Sequence, residues 1–334
     1  MLDPIAEALS AAVREPLELL ASPDSRAYWP FLIAAVAIAA VALRSVRGAL
    51  DPRVWLHRSA RMDYRLVIAK AFVNALVLAP LALSALAIAL WTVGRMTAWF
   101  GEPSPSSLSR WQVMAAYTVV LFVAWDLSRY VVHVLMHRVP WLWEFHKVHH
   151  SAEVLTPITV YRVHPVESFL YGARGALVTG VLTGVFFYAF QDKAVQYELL
   201  GVNAVGVAFN ALGANLRHSH VWLSYGRAVE RVLLSPAQHQ LHHSADAAEG
   251  ASNYGTFLAV WDRVGGSLLT AAGRGRPAQL GLPAGELNHD PASVTQALWG
   301  PVRACARRIP WRRNRKSARR SSGRSKRWTA EHLA

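Results

Sequence analysis

With a single cysteine, Cys305, the 334-residue chain can form no intramolecular disulfide and can build no cysteine-based zinc or iron–sulfur site. Any metal chemistry has to rest on other side chains. Charge is scarce too: 17% of residues are charged against 53% hydrophobic, with 13 Trp, which excludes an ordinary soluble domain and places part of the chain in lipid. Acidic residues are the rarer sign, 21 against 35 Lys and Arg, for a net charge of +14. The excess is uneven. Twelve Lys and Arg fall between Arg303 and Arg327, and Arg44, Arg47, Arg53, Arg58, Arg61 and Arg65 lie between two apolar runs. Clusters of this kind suit anionic lipid headgroups beside a membrane better than nucleic acid, and no nucleic-acid partner is expected.

The first residues lack the basic start and early apolar core of a signal peptide, and Ile5, Leu9, Val13, Leu17 and Leu20 make residues 1–27 an amphipathic surface helix. Apolar runs follow. Tyr28 to Leu43 is somewhat short for a span. Ala71 to Trp91 is the clearest one, uncharged, with Pro80 near its middle where lipid tolerates a kink. Trp111 to Trp125 is too short alone, so its helix is expected to run on past Asp126. Ala176 to Phe190 and Leu199 to Leu216 flank Gln191-Asp192-Lys193 and predict a helical hairpin that spans or dips into the bilayer. If the basic loop from Arg44 to Arg65 is cytoplasmic, five crossings bring every histidine-rich segment and the basic tail to the cytoplasmic face. The Gly- and Pro-containing stretch after Val221 reads as a cap. The predicted fold is an all-α integral-membrane bundle of four to five embedded helices with a cytosolic helical cap. Its divisions are a membrane-embedded catalytic domain over 28–270, a loop region over 271–302 and a basic, disordered tail over 303–334.

What the chain has in quantity is patterned histidine. His133 and His137 lie four apart; His146, His149 and His150 form an H-x-x-H-H box, and His239, His242 and His243 form a second. On a helix each set projects from one side. Imidazole is the commonest metal-ligating side chain, and these boxes hold more nitrogens than one metal can use, which points to two. His218 and His220, at the end of an apolar helix, are further candidate ligands, and His164 stands between ligand, support and structure. His57, His289 and His332 have no patterned partner and read as ordinary surface or core histidines. Asp126, Tyr130, His133 and His137 share one helical stripe. Asp126 and Tyr130 are therefore the candidate catalytic residues, Asp126 as the carboxylate accepting the free N–H of a metal-bound imidazole.

Five segments carry a family resemblance: D-x-x-x-Y-x-x-H-x-x-x-H from Asp126 to His137, F-H-K-V-H-H-S from Phe145 to Ser151, R-x-H-P-x-E from Arg162 to Glu167, N-x-x-H-S-H from Asn215 to His220, and H-Q-L-H-H-S from His239 to Ser244. Asn253-Tyr254-Gly255 and Trp261-Asp262-Arg263 extend it. Together they resemble the fatty acid hydroxylase and sterol desaturase superfamily of membrane-bound, non-haem di-iron enzymes. The resemblance implies that His133, His137, His146, His149, His150, His239, His242 and His243 hold two iron ions, which use O₂ and external electrons to hydroxylate or desaturate a lipid. One departure is visible: Gly265-Gly266-Ser267 lacks the bulky residue the family commonly has after Trp-Asp-Arg. No His-Pro-Gly-Gly haem segment and no Cys-rich part is present, so a separate electron-transfer protein is implied.

The leading expectation is lipid C–H hydroxylation, with desaturation at the same centre as its close second. Two rivals come from other classes. A histidine-rich metal transporter would carry ionisable residues inside its spans, and Ala71 to Trp91 has none. A basic scaffold binding anionic headgroups through the tail leaves the boxes unexplained.

Overall fold

The computed structural model describes residues 4–194, 198–199, 202–283, 285–286, 290 and 292–308. Its main helices are α1 (Pro4–Ala21), α2 (Trp29–Leu43), α3 (Arg58–Val73), α4 (Ala85–Phe100), α5 (Arg110–Arg138), α6 (Pro140–His150), α7 (Pro165–Phe190), α8 (Ala204–Ala211), α9 (Pro236–His242) and α10 (Val294–Arg308). Among the described residues the only sheet is a two-residue antiparallel ladder pairing Glu198 with Asn203 and Leu199 with Val202. The expected helical class is the observed one.

Helix α5 shows how sequence sets an element. Ser109 Oγ accepts from the Gln112 backbone N–H while Gln112 Oε1 accepts from the Ser109 N–H, a reciprocal cap. No Gly or Pro interrupts the helix until Val139, where Pro140 ends it and opens α6. Its 29 residues rise roughly 44 Å, more than the ~30 Å of hydrocarbon in a bilayer. The expected extension past Asp126 is thus present. Arg110–Arg138 and Pro165–Lys193 are long and apolar enough to cross a membrane, and α2 and α4 are shorter apolar helices. Val119, Val123, Val131 and Leu135 on α5 and Leu177 and Phe187 on α7 face outward, as lipid-facing side chains would.

Helices α4 and α7 touch backbone to backbone. A Cβ at Gly180 would lie 2.7 Å from the Ala85 carbonyl oxygen, and one at Gly184 would lie 2.7 Å from that of Ala89. Gly-x-x-x-Gly spacing permits this approach without a water-driven hydrophobic force. Tyr117 and Thr183 then join α5 to α7 through a 2.6 Å hydroxyl pair.

Two predicted runs do not form as single helices. The Ala71 to Trp91 run is split: α3 ends at Val73, a wide turn covers Asn74–Leu78, a tight one Ala79–Leu81, and Ser84 caps α4 afresh. Pro80 has no N–H to bond back to the preceding turn. The Leu199 to Leu216 arm of the predicted hairpin shortens to α8, whose eight residues rise only ~12 Å, and Gly213 turns the chain at φ 90°. The basic tail also begins later than expected, because Arg303 to Arg308 belong to α10, where Arg308 Nη2 meets Glu144 at 2.6 Å. The rest of that tail lies outside the described residues.

Buried carboxylates pin the loops of the cap. Glu230 accepts from the hydroxyls of Ser224 and Ser235 and from the N–H groups of Ala271 and Ala272. Asp262 accepts from the N–H groups of Tyr254 and Gly255 and from Ser267 Oγ. Such bonds replace the water these carboxylates lost on burial.

Candidate metal centre

Four elements deliver the histidines. Helix α5 brings His133 and His137, α6 brings His146, His149 and His150, the tight turn Ala214–His218 brings His218, and α9 with its C-cap brings His239, His242 and His243. They sort into two sets: His133, His137, His146, His150 and His242, and beside them His149, His218, His239 and His243. Within each set the candidate ligand atoms all lie within 4.8 Å of one another. The sets are adjacent, with the His150 and His243 rings stacked at 4.6 Å.

Supporting bonds fix the tautomers. Nδ1 of His133 lies 2.7 Å from the Tyr254 carbonyl oxygen, Nδ1 of His242 lies 2.7 Å from that of Ser252, and Nδ1 of His149 lies 3.2 Å from that of Arg162. A carbonyl only accepts, so each Nδ1 carries the proton and each Nε2 keeps a lone pair. His146 Nδ1 donates to Glu167 Oε1 at 3.0 Å. The Nε2 atoms then face one another: His133 to His146 and to His242 at 3.1 Å, and His218 to His149 at 3.2 Å and to His239 at 3.0 Å. For His133, His146 and His242, whose protons sit on Nδ1, the facing lone pairs repel unless a cation lies among them. The spacing leaves these nitrogens close enough to share a cation. Nε2 of His137 and His150, and both ring nitrogens of His243, are buried with no partner. The donor set therefore fits two metal ions.

Burial is the largest cause lowering the pKa of His149 and His242 to about 3, and the His146 imidazole adds to it in both. Burial likewise holds His150, His218, His239 and His243 well below the ordinary histidine value. All are neutral nitrogen donors near pH 7.

Nine of the ten candidate ligands come together; His220 does not. Its Nε2 lies 2.8 Å from the Gly48 carbonyl oxygen, because extended Ser219 turns the ring away from that of His218. His164 is structural: its Nδ1 accepts from the Val166 N–H at the start of α7 and its Nε2 donates to the Leu298 carbonyl. Asp126 touches no histidine. Its two oxygens accept from the N–H groups of Phe257 and Leu258 and from Trp261 Nε1, clasping the cap to α5. Tyr130 lies toward the cap, its hydroxyl filling the space a Cβ at Gly265 would need. This accounts for Gly265, which follows Val264 beyond Trp-Asp-Arg. Asp126 is thus not the carboxylate that supports an imidazole, the place expected of it.

The carboxylate that does support an imidazole is Glu167. Its signal was an acidic residue at the first turn of an apolar helix, where charge is costly without a partner. Arg26, Arg129 and Arg217 were not singled out either, and they line the cavity of about 270 Å³ that opens onto His133, His146, His149, His218 and His239.

Residues 118–267, which hold both sets, match the fatty acid hydroxylase family. The chain is 31% identical to an ornithine lipid hydroxylase of Rhizobium tropici over 46% of its own length and 42% of that protein. It is 27% identical to the alkylglycerol monooxygenase of Homo sapiens over 44% of its length and 29% of that protein. With a Delta(7)-sterol 5(6)-desaturase of Gibberella zeae the identity is 30%, over 47% of this chain and 43% of the relative. The chain thus spans less than half the length of these curated relatives. No solved structure matches it. The segment that carries both histidine sets thus matches the fatty acid hydroxylase family, and the proteins it is similar to are a lipid hydroxylase, a monooxygenase and a sterol desaturase.

Proposed function

We propose that this chain is a membrane-bound di-iron oxygenase that hydroxylates a C–H bond of a lipid, with the site facing the cytoplasm. The observation that carries the reading is the pair of adjacent all-imidazole sets, five histidines and four, all buried except half-buried His137, with several ring nitrogens left without a partner. A bound iron pair would supply the redox capacity to split O₂. In balance, one oxygen atom enters the C–H bond as hydroxyl. The other leaves as water with two protons and two electrons from a separate electron-transfer protein, since a chain with one cysteine holds no iron–sulfur cluster of its own.

The residues of the chain prepare the site. Carbonyls of Tyr254, Ser252 and Arg162 and the carboxylate of Glu167 orient four rings so that their Nε2 atoms converge. Arg162, fully buried against Asp63 at 2.9 Å, locks the loop that presents one of those carbonyls. Burial excludes water, which protects a strong oxidant from side reactions. A groove of about 520 Å³ between α1, the broken α3–α4 connection and α7 is lined by Leu78, Leu83 and Phe169, and shares Ser168 with the cavity at the histidines. It offers a lipid a lateral way in.

The test is to purify the chain with iron, count metal, and analyse lipids of cells with and without it. About two irons per chain and a lipid that gains one oxygen support the reading. A count that stays at one, or cell lipids left unchanged, overturns it. Loss of two hydrogens instead would assign the desaturase alternative, which the sterol desaturase relative keeps open.

A further inference from the structure

Among the described residues, the cavity beside the histidines gathers three arginines against one carboxylate, so it carries net positive charge. Arg26, Arg129 and Arg217 line it, and Glu167 is its one carboxylate, engaged with His146. Among the described residues none of the three arginines has an ion-pair partner; the pairs that do form involve Arg53, Arg58, Arg162, Arg308, Lys147 and His146. Asp126 is already committed to two backbone N–H groups and an indole.

Aromatic faces hold the guanidiniums in place. Arg26 and Arg217 lie over the Phe257 ring at 5.6 and 5.1 Å, and Arg129 lies over Tyr171 at 4.6 Å. Stacking occupies the flat face of a guanidinium and leaves its N–H edge to recognise a planar or tetrahedral anion. Arg217 is 3% exposed; its Nε donates to the Ala214 carbonyl, and its Nη2 has no hydrogen-bond partner among the described residues. A buried charged donor left without an acceptor is costly unless a ligand supplies one.

We propose that this cavity receives the anionic group, carboxylate or phosphate, of an acyl lipid, held by Arg217 with Arg26 and Arg129. The carbon placed against the histidine sets then lies near the headgroup rather than far along the tail. A neighbouring cavity of about 340 Å³ shares Arg26 and is walled by Leu121, Phe122, Trp125 and Phe257, which suits hydrocarbon. The position of oxidation rests on the function proposed above; the binding of the anion does not.

The test is equilibrium binding of radiolabelled palmitate, dioleoyl phosphatidate, hexadecanol and inorganic phosphate to the full chain in neutral detergent, with and without iron. At least one anionic lipid should bind about tenfold or more tightly than hexadecanol, as charge-assisted bonds in a buried site require. Whichever of palmitate and phosphatidate binds more tightly names the headgroup. Arg217→Gln and Arg129→Gln should each remove most of that preference while leaving hexadecanol binding unchanged. Should Arg217→Gln fail to fold, Arg217→Lys keeps the charge but loses the fork, and should bind the anion more weakly than the native chain. Equal binding of anionic and neutral lipids, or arginine variants that bind as the native chain does, would overturn the proposal. Inorganic phosphate binding as tightly as phosphatidate would overturn its lipid part. A chain that binds the anionic lipid yet transfers no oxygen refutes the proposed function and leaves this site standing.

Discussion

His149 and His242 are exchanged between the two histidine sets. In the first box His146 and His150 join the five-histidine set while His149 joins the other; in the second, His239 and His243 join the four-histidine set while His242 crosses back. At 100° per residue, position i+4 lies about 40° to one side of position i and i+3 about 60° to the other. Each box therefore diverges toward two centres, and each centre draws on both boxes.

Replacing either crossed residue with alanine should unload one set first. His149→Ala leaves three nitrogens in its set and His242→Ala leaves four in the other, so metal per chain should fall from about two toward about one with activity lost. Metal analysis alongside membrane fractionation checks this. A variant that keeps both metals and full turnover removes that residue from the centre.

Glu167 supports His146 and touches no metal-facing nitrogen directly. Glu167→Ala should weaken metal retention about 10- to 100-fold while leaving the fold intact. A chelator competition assay measures the shift, and unchanged retention would show that His146 orients itself.

Asp126→Asn should cost stability rather than metal. It removes the charge that satisfies the Phe257 and Leu258 N–H groups, a loss of roughly 1–3 kcal/mol. Thermal unfolding in detergent should register it with metal stoichiometry unchanged. Selective metal loss from a normally stable variant would restore the role expected of Asp126 from sequence.

Acid should strip the site. His149 and His242 have folded pKa values of about 3, below the ~6.5 of free imidazole. Between those values the unfolded chain binds more protons, so stability is fully present above about pH 6.5 and is lost as pH falls toward 3. Protons also compete for the ligand nitrogens. Metal content and unfolding midpoint followed from about pH 7 to 4 should both decline; a flat profile contradicts the buried, neutral assignment.

Gly184→Leu should separate α4 from α7, because the new side chain would enter the space of Thr92 and the Ala89 carbonyl. A cost of ~1–3 kcal/mol or more is expected, read as a lower unfolding temperature. Equal stability would mean that the two helices slide without penalty.

Much of this was legible in the chain because the relevant signals are local. Helix α5 running through to His137 follows from an uninterrupted apolar pattern between Ser109 and Pro140. The metal-ligating histidines follow from spacings of three and four, which a helix turns into a face. Where local rules competed, the reading failed. Pro80 is tolerated in many membrane helices, yet here its missing donor comes just before Ser84, a capping residue, and the run divides. Gly213, which turns the chain at φ 90°, ends the arm that hydropathy alone extends.

By itself, then, the sequence determined the donor chemistry: imidazoles at helical intervals, almost no thiol, and apolar helices to carry them. Only the tertiary structure decided which nitrogens meet. It divided each box between two sets, gave the supporting carboxylate to Glu167, sent Asp126 to the cap and His220 to a carbonyl, and gathered three distant arginines around one cavity. Spacing along a helix fixes the direction of a side chain relative to its own axis. What that side chain faces depends on how separate helices pack, and that is settled by contacts such as Gly180 against Ala85 and Asp126 against Phe257, between residues far apart in the chain.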